Sequence, residues 1–244
     1  MQPRFEQFIR ERQFLSNVSA STLEWYKHSF KWLNSEGPTD DDLKDAVLRM
    51  REKGLKATGC NSAIRAINAY LKWSGSAQKI RQLKEPQLVL PTFTLQQIRL
   101  LVAWKPKGKY QRRLHLLILF LLDTGCRITE ALTLRASEVD MDNMLVTLDG
   151  KGRKQRIVPF SFELRKALFR YIADTKRKPD SLLLASRNET QLGTRVMLRD
   201  VKLLCKRLGF TPPARTLHAF RHTFAVNYLR RGGSCVSLAE VLRP

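Results

Sequence analysis

Leu116-Leu117-Ile118-Leu119-Phe120-Leu121-Leu122-Asp123-Thr124-Gly125-Cys126-Arg127-Ile128-Thr129-Glu130 is the stretch on which the fold of this chain turns. Leu116 to Leu122 is the longest unbroken apolar run in the sequence. It falls far short of the roughly 20 residues a membrane span needs, so it reads as the buried part of a helix from Arg112 to Leu122. Asp123-Thr124-Gly125 closes that helix, since glycine readily takes the left-handed conformation that ends one. A second, short helix is predicted from Ile128 to Leu134. At its start Arg127 faces Glu130, three positions on. Such a pair often does no more than fix a helix start. The other reading is a guanidinium held by a carboxylate so that its fork meets a phosphate.

Downstream, Met144 to Leu148 and Arg156 to Phe160 read as a β-hairpin around Gly150-Lys151-Gly152-Arg153-Lys154. A glycine-flanked Lys151 is either a solvated turn residue or a mobile amine able to protonate an alkoxide leaving group. A helix is predicted from Phe162 to Ala173, then a short strand or loop at Leu182 to Ala185. Another helix runs from Arg195 to Leu208, stopped by Gly209, and a last long one from Thr216 to Arg231, stopped by Gly232-Gly233. This last helix carries Leu217-His218-Ala219-Phe220-Arg221-His222-Thr223-Phe224-Ala225. His218 and Arg221 share one face, while Leu217, Phe220 and Phe224 take the core side. A histidine and an arginine on one face suit a pair of phosphate oxygens.

Upstream, a helix is predicted from Thr94 to Trp104. Residues 1–75 read as a helical unit: Arg4 to Phe14, then a helix capped within Ser19–Thr22 and running to about Leu33. A third begins at Thr39 with Asp40, Asp41 and Asp42 in its first turn, where acids suit the helix dipole, and ends at Gly54. The fourth has Ile64, Ile67, Tyr70 and Leu71 on its apolar face. Lys56, Arg65 and Lys72, with Lys53 and Lys79, are candidate contacts to a nucleic-acid backbone. The expected division is a helical domain over 1–80, a linker over 81–92 marked by Pro86 and Pro91, and a mixed domain over 93–244.

Composition narrows the partner. The 244 residues carry 44 Lys and Arg against 22 Asp and Glu, a formal +22, and 43% hydrophobic residues argue for a folded chain. Residues 1–80 hold 13 basic and 9 acidic side chains, 13 − 9 = +4, leaving 31 − 13 = +18 for the rest. That surplus points to a polyanion, most simply nucleic acid. The polar N-terminus and short apolar runs exclude a signal region and a membrane partner, so the cytoplasm is the expected place. Cys60, Cys126, Cys205 and Cys235 make no CxxC spacing, and His28, His115, His218 and His222 make no HExxH. Reduced thiols and no metal site are expected.

In order and spacing these features resemble the tyrosine recombinases, the phage integrase family with its Xer and integrase members. The family's TGxRxxE box is matched by Thr124, Gly125, Arg127 and Glu130. Its GKGxK hairpin is matched by Gly150, Lys151, Gly152 and Lys154, the lysine standing 24 residues after Arg127. Its HxxRHxxA box is matched by His218, Arg221, His222 and Ala225. The resemblance implies a mostly α fold with a small β-sheet: a four-helix SAM-like core-binding domain, then a mixed α+β catalytic domain. It implies catalytic roles for Arg127, Lys151, His218 and Arg221, supported by Glu130 and His222, without metal or cofactor. Two arginines and a histidine would neutralise the scissile phosphate and the lysine would protonate the leaving 5′ oxygen. Arg153, Lys154 and Arg156 on the hairpin, with Lys56, Arg65 and Lys72, would contact DNA. The implied partner is a double-stranded recombination site of a mobile element, gripped in a C-shaped clamp with other copies or an intact recombinase.

The chain departs from the family after the second box, where a Gly-His motif and then the nucleophilic tyrosine should follow. By spacing, Arg243-Pro244 fall where Gly-His should stand. The only tyrosine beyond the box is Tyr228, seven residues after Arg221, and it reads as a core aromatic. The expectation is a catalytic domain incomplete at its C-terminus. Residues 235–244, encoded one base out of frame, would with suitable codons restore apolar residues, a glutamine and Gly-His. Such a chain is expected to bind DNA without forming a covalent adduct. The alternative is a non-catalytic DNA-binding regulator or partner of an intact recombinase, which in some family members donates its tyrosine.

Overall fold

The computed structural model describes residues 2–86, 89–150 and 155–242 and divides the chain into two compact units, Met1–Leu88 and Val89–Pro244. The first unit comprises α1 (Pro3–Ser16), α2 (Ala20–Phe30), α3 (Asp40–Glu52) and α4 (Ala57–Trp73). Local chemistry starts them: Ser19 accepts from the Thr22 amide at α2, and Thr39 and Asp42 cap each other reciprocally at α3. α4 is the centre, burying Cys60, Ile64, Ile67, Tyr70 and Leu71 against Phe5, Phe8 and Phe30. The buried Asn61 reaches beyond the helices, donating to the Leu83 carbonyl at 2.8 Å and accepting from the Leu83 amide at 2.7 Å. Asn68 ties Ile80 in the same way. The first part of the stretch read as linker therefore lies on this unit. The buried Asn61 and the half-buried Asn68 satisfy backbone that hydropathy alone marks as free.

The second unit opens with α5 (Leu95–Ala103), capped by Thr94 and Gln97, followed by α6 (Lys109–Thr124) and α7 (Ile128–Thr133). β1 (Val139–Asp140), β2 (Leu145–Asp149) and β3 (Gln155–Pro159) form an antiparallel sheet in that order. α8 (Phe162–Thr175), α9 (Thr194–Arg207), α10 (Thr216–Arg230) and α11 (Cys235–Val241) complete it. α6 is the axis: Leu117, Ile118, Phe120 and Leu121 are buried between α8 and α10. The mostly helical class with a small sheet is as the pattern predicts. Three elements lie outside the predictions: β1, α11 and a single 3-10 turn at Ala136–Glu138. β1 is too short to show a period of two, and α11 lies in the stretch read as out of frame. As written, that stretch makes a helix, with Ser234 capping the Val236 and Ser237 amides and Leu238 buried. No helix among the described residues is long and apolar enough to cross a membrane.

Candidate active site

α6 ends at Gly125, whose φ of +61° places it in the left-handed region. A side chain there would also strike Phe224 of α10, whose Cδ1 lies 2.3 Å from the position a Cβ would occupy. The glycine thus lets α10 close on the turn that carries Arg127. Across this contact the Arg221 Nη1 donates to the Gly125 carbonyl at 2.8 Å, joining residues 96 positions apart. Thr223 and Phe220 steady the same helix. The Thr223 hydroxyl accepts from the Phe93 amide at 2.9 Å, and the Phe93 and Phe220 rings lie 4.5 Å apart.

Glu130 is the hub. Its carboxylate is buried and accepts from the Arg127 amide at 2.7 Å and from Arg127 Nη1 at 2.9 Å. It also takes both terminal nitrogens of Arg156, at 3.0 and 2.7 Å. Burial alone would raise its pKa, but hydrogen bonds from Arg156 and Arg127 outweigh that and hold it below the ordinary carboxylate value. Burial, and next to it the charge of Arg127, depresses the Arg221 guanidinium to about 10. Cys126, beneath them, is fully buried and its thiol is pushed up to about 12, so it packs rather than reacts. His218 is exposed one turn before Arg221. His222 is lowered by burial first and then by the charges of His218 and Arg221.

The structure thus gathers Arg127, Glu130 and Arg221, with His218 and His222 on the same helix turn as Arg221. Lys151, Arg153 and Lys154 lie outside the described residues. Lys56, Arg65 and Lys72 are exposed along α4 of the first unit. Arg156 corrects the sequence reading. It was expected to face DNA, but its side chain is 10% exposed and is engaged by Glu130 and by the Val241 carbonyl. The sequence reading also missed the outer face of α9, where Arg195, Arg199, Lys202 and Lys206 follow helical spacing and are exposed. Lys202 and Lys206 border an open depression of about 550 Å³ that Arg215, just before α10, also lines. Tyr228 packs beside Phe224 and over Gly233, where a Cβ would meet its ring at 2.2 Å. It is seated as an aromatic support. Among the described residues no group of His, Cys, Asp and Glu is placed to hold a metal ion.

A left-handed glycine turn between α6 and α7, the arginine-bearing α10 packed on it and a buried carboxylate shared by two arginines beside a hairpin define the architecture of the site. Residues 91–242 match the model of the phage integrase family, and the chain belongs to that family. It is 28% identical to tyrosine recombinase XerA of Pyrococcus furiosus over 238 residues, 93% of this chain and 81% of that protein. It is 26% identical to tyrosine recombinase XerC of Xanthomonas axonopodis pv. citri, covering 97% and 87% of the two chains. The fold matches the Tn1549 transposon integrase in complex with transposon right end DNA, with a TM-score of 0.76 at 20% identity over 98% of this chain and 89% of that one.

Proposed function

We propose that residues 1–244 bind double-stranded DNA and neutralise one phosphodiester for strand transfer in DNA recombination or integration of a mobile element. The observation that carries this reading is the Arg221–Gly125 hydrogen bond, which sets the second-box arginine beside the Arg127–Glu130 pair. Arg127 and Arg221 then offer the guanidinium N–H groups that these internal bonds leave, and His218 a ring N–H, to the non-bridging oxygens. Lys151, from the hairpin tip, donates the proton to the departing oxygen. The basic faces of α9 and of α4 each contact the DNA backbone, and the protein works on cytoplasmic DNA together with other recombinase protomers. The DNA-bound transposon integrase whose fold this chain shares supports the partner, and its transposon supports the mobile-element setting.

In this reading the 244 residues supply the cationic half of the centre and form no covalent link to DNA by themselves. Tyr228, held over Gly233, is not the attacking group. Binding to a short mixed-sequence duplex across a salt series tests the first part. Affinity should fall steeply with salt, and Arg127→Gln or Arg221→Gln should each weaken it about tenfold and lower the salt slope by about 1. An unchanged affinity in both variants overturns the phosphate site. Nicked duplexes of randomised sequence, resolved on a denaturing gel, test the second part: a protein–DNA adduct formed by this polypeptide alone would refute it.

A further inference from the structure

Arg156 stands where a β-strand should carry an apolar residue. In register with Leu148 of β2, it shares the inward face of β3 with the buried Val158, while Ile157 is turned outward and 63% exposed. The hydropathy of this strand is inverted at two adjacent positions. A charge placed on an inward face is costly unless nearly all its donors are met. Here each of the three guanidinium nitrogens has a partner: Nη1 and Nη2 fork onto the two Glu130 oxygens, and Nε donates to the Val241 carbonyl at 2.9 Å.

That arrangement decides how the phosphate-facing arginines are held. Each Glu130 oxygen is shared, Oε1 between Arg127 Nη1 and Arg156 Nη1, and Oε2 between the Arg127 amide and Arg156 Nη2. With the carboxylate filled from the Arg156 side, Arg127 is gripped through a single terminal nitrogen. Its remaining N–H groups meet no partner among the described residues, on a side chain that is 31% exposed. On the other side, Arg156 fixes Val241, and the next carbonyl, Leu242, accepts from Arg221 Nη2. One residue on β3 therefore connects α7, α11 and α10.

We infer that Arg156 is a positioning residue for the phosphate site: it saturates Glu130 so that Arg127 is presented rather than neutralised, and it anchors the α11 end that holds Arg221. It acts through Glu130 and the α11 backbone, without touching DNA. The inference rests on the phosphate-binding reading above and goes beyond it by assigning a role to a residue outside the two boxes.

The test compares arginine with lysine at position 127, which separates aim from charge, because only an oriented guanidinium outperforms an ammonium. With the full chain and a short mixed-sequence duplex, Arg127→Lys should weaken binding about tenfold in the wild-type background, the worth of a forked phosphate contact. In an Arg156→Met background the same exchange should cost about twofold or less, because the two sites are coupled through Glu130. Arg156→Lys, which restores the charge without the fork, should behave like Arg156→Met. Should Arg156→Met fail to fold, Arg156→Gln, which keeps a donor toward Glu130 but no charge and no fork, gives the same comparison with Glu130 in place. A full tenfold cost of Arg127→Lys in the Arg156-substituted background, or rescue by Arg156→Lys, overturns the inference while leaving the phosphate site standing. Arg127→Gln and Arg221→Gln variants that both bind like wild type would instead overturn the phosphate site and this inference with it.

Discussion

The two units bury different chemistry. In the first, Phe8 sits among Tyr26, Phe30, Tyr70 and Trp73 with ring centroids 4.9 to 5.7 Å away, and Phe5 stacks on Phe30 at 4.6 Å. The buried polar side chains described there, Ser29 and Asn61, are uncharged. The second unit also has an apolar core, yet it buries the carboxylate of Glu130 and ties two arginines to it. On the proposed function the contrast follows from what each surface would do. Holding a nucleic-acid backbone needs charge in roughly the right place, which exposed Arg65 and Lys72 on an aromatic scaffold would provide. Handling one phosphate needs guanidinia aimed along fixed directions, and aim requires partners inside the protein.

The largest effect should come from breaking the aromatic scaffold. Phe8→Ala removes the ring at its centre and should cost about 3–5 kcal/mol, as truncation of a buried phenylalanine does. Denaturant unfolding followed by probes in each unit should show this loss in the first unit, with the second unit's transition in place. An equal shift of both transitions would mean the two cores are not energetically separate. A smaller effect, confined to the other unit, is expected from Gly125→Ala. The left-handed φ and the contact with Phe224 together should cost about 2 kcal/mol. Because the Gly125 carbonyl holds Arg221, DNA affinity should drop with it. A variant that loses stability and keeps full affinity would show that the turn supports the fold but not the site.

Much of this contrast is legible in the sequence, and the parts that are not have a common cause. Leu116 to Leu122 and the cap at Gly125 announce α6 because periodicity and turn chemistry are local. Arg127, Glu130 and Arg221 stand out through their spacing, though the bond from Arg221 to Gly125 bridges positions that no local pattern connects. Arg156 misleads for the same reason. Beside Lys151, Arg153 and Lys154 it reads as one more cation of a basic hairpin, and only the strand's register turns it inward. A signal was present in Arg156-Ile157-Val158, where alternation sets the arginine on the same face as Val158. α9 is a different case, since its basic stripe at 195, 199, 202 and 206 has the periodicity of a helix face and could have been read directly. α11 is too short to show a convincing period, and its role lies in the carbonyls of Val241 and Leu242, which no side-chain pattern reports.

The smallest effect, and the one that most sharpens the difference between the units, is a slope against pH. Glu130 is held ionised by Arg156 and Arg127, so its pKa in the folded protein lies below its ordinary value of 4.5. A carboxyl whose pKa is lowered on folding contributes stability that is fully present above its ordinary pKa and is lost as pH falls through the lowered one. The second unit should therefore lose stability from about pH 4.5 downward. Other carboxyls add to that loss, among them Asp140, held low by the amide and side chain of Asn143 but lying at the surface. Subtracting the profile of Glu130→Gln from that of the wild type removes those shared contributions. The difference should be flat above the ordinary pKa and slope below it, because glutamine keeps the shape of the hub but has no proton to gain. The first unit, whose core carries no such carboxylate among the described residues, should give superimposable profiles for the two proteins. Parallel second-unit profiles across the acid range would mean that Glu130 shapes the hub through hydrogen bonding alone, and that its charge does not aim the arginines.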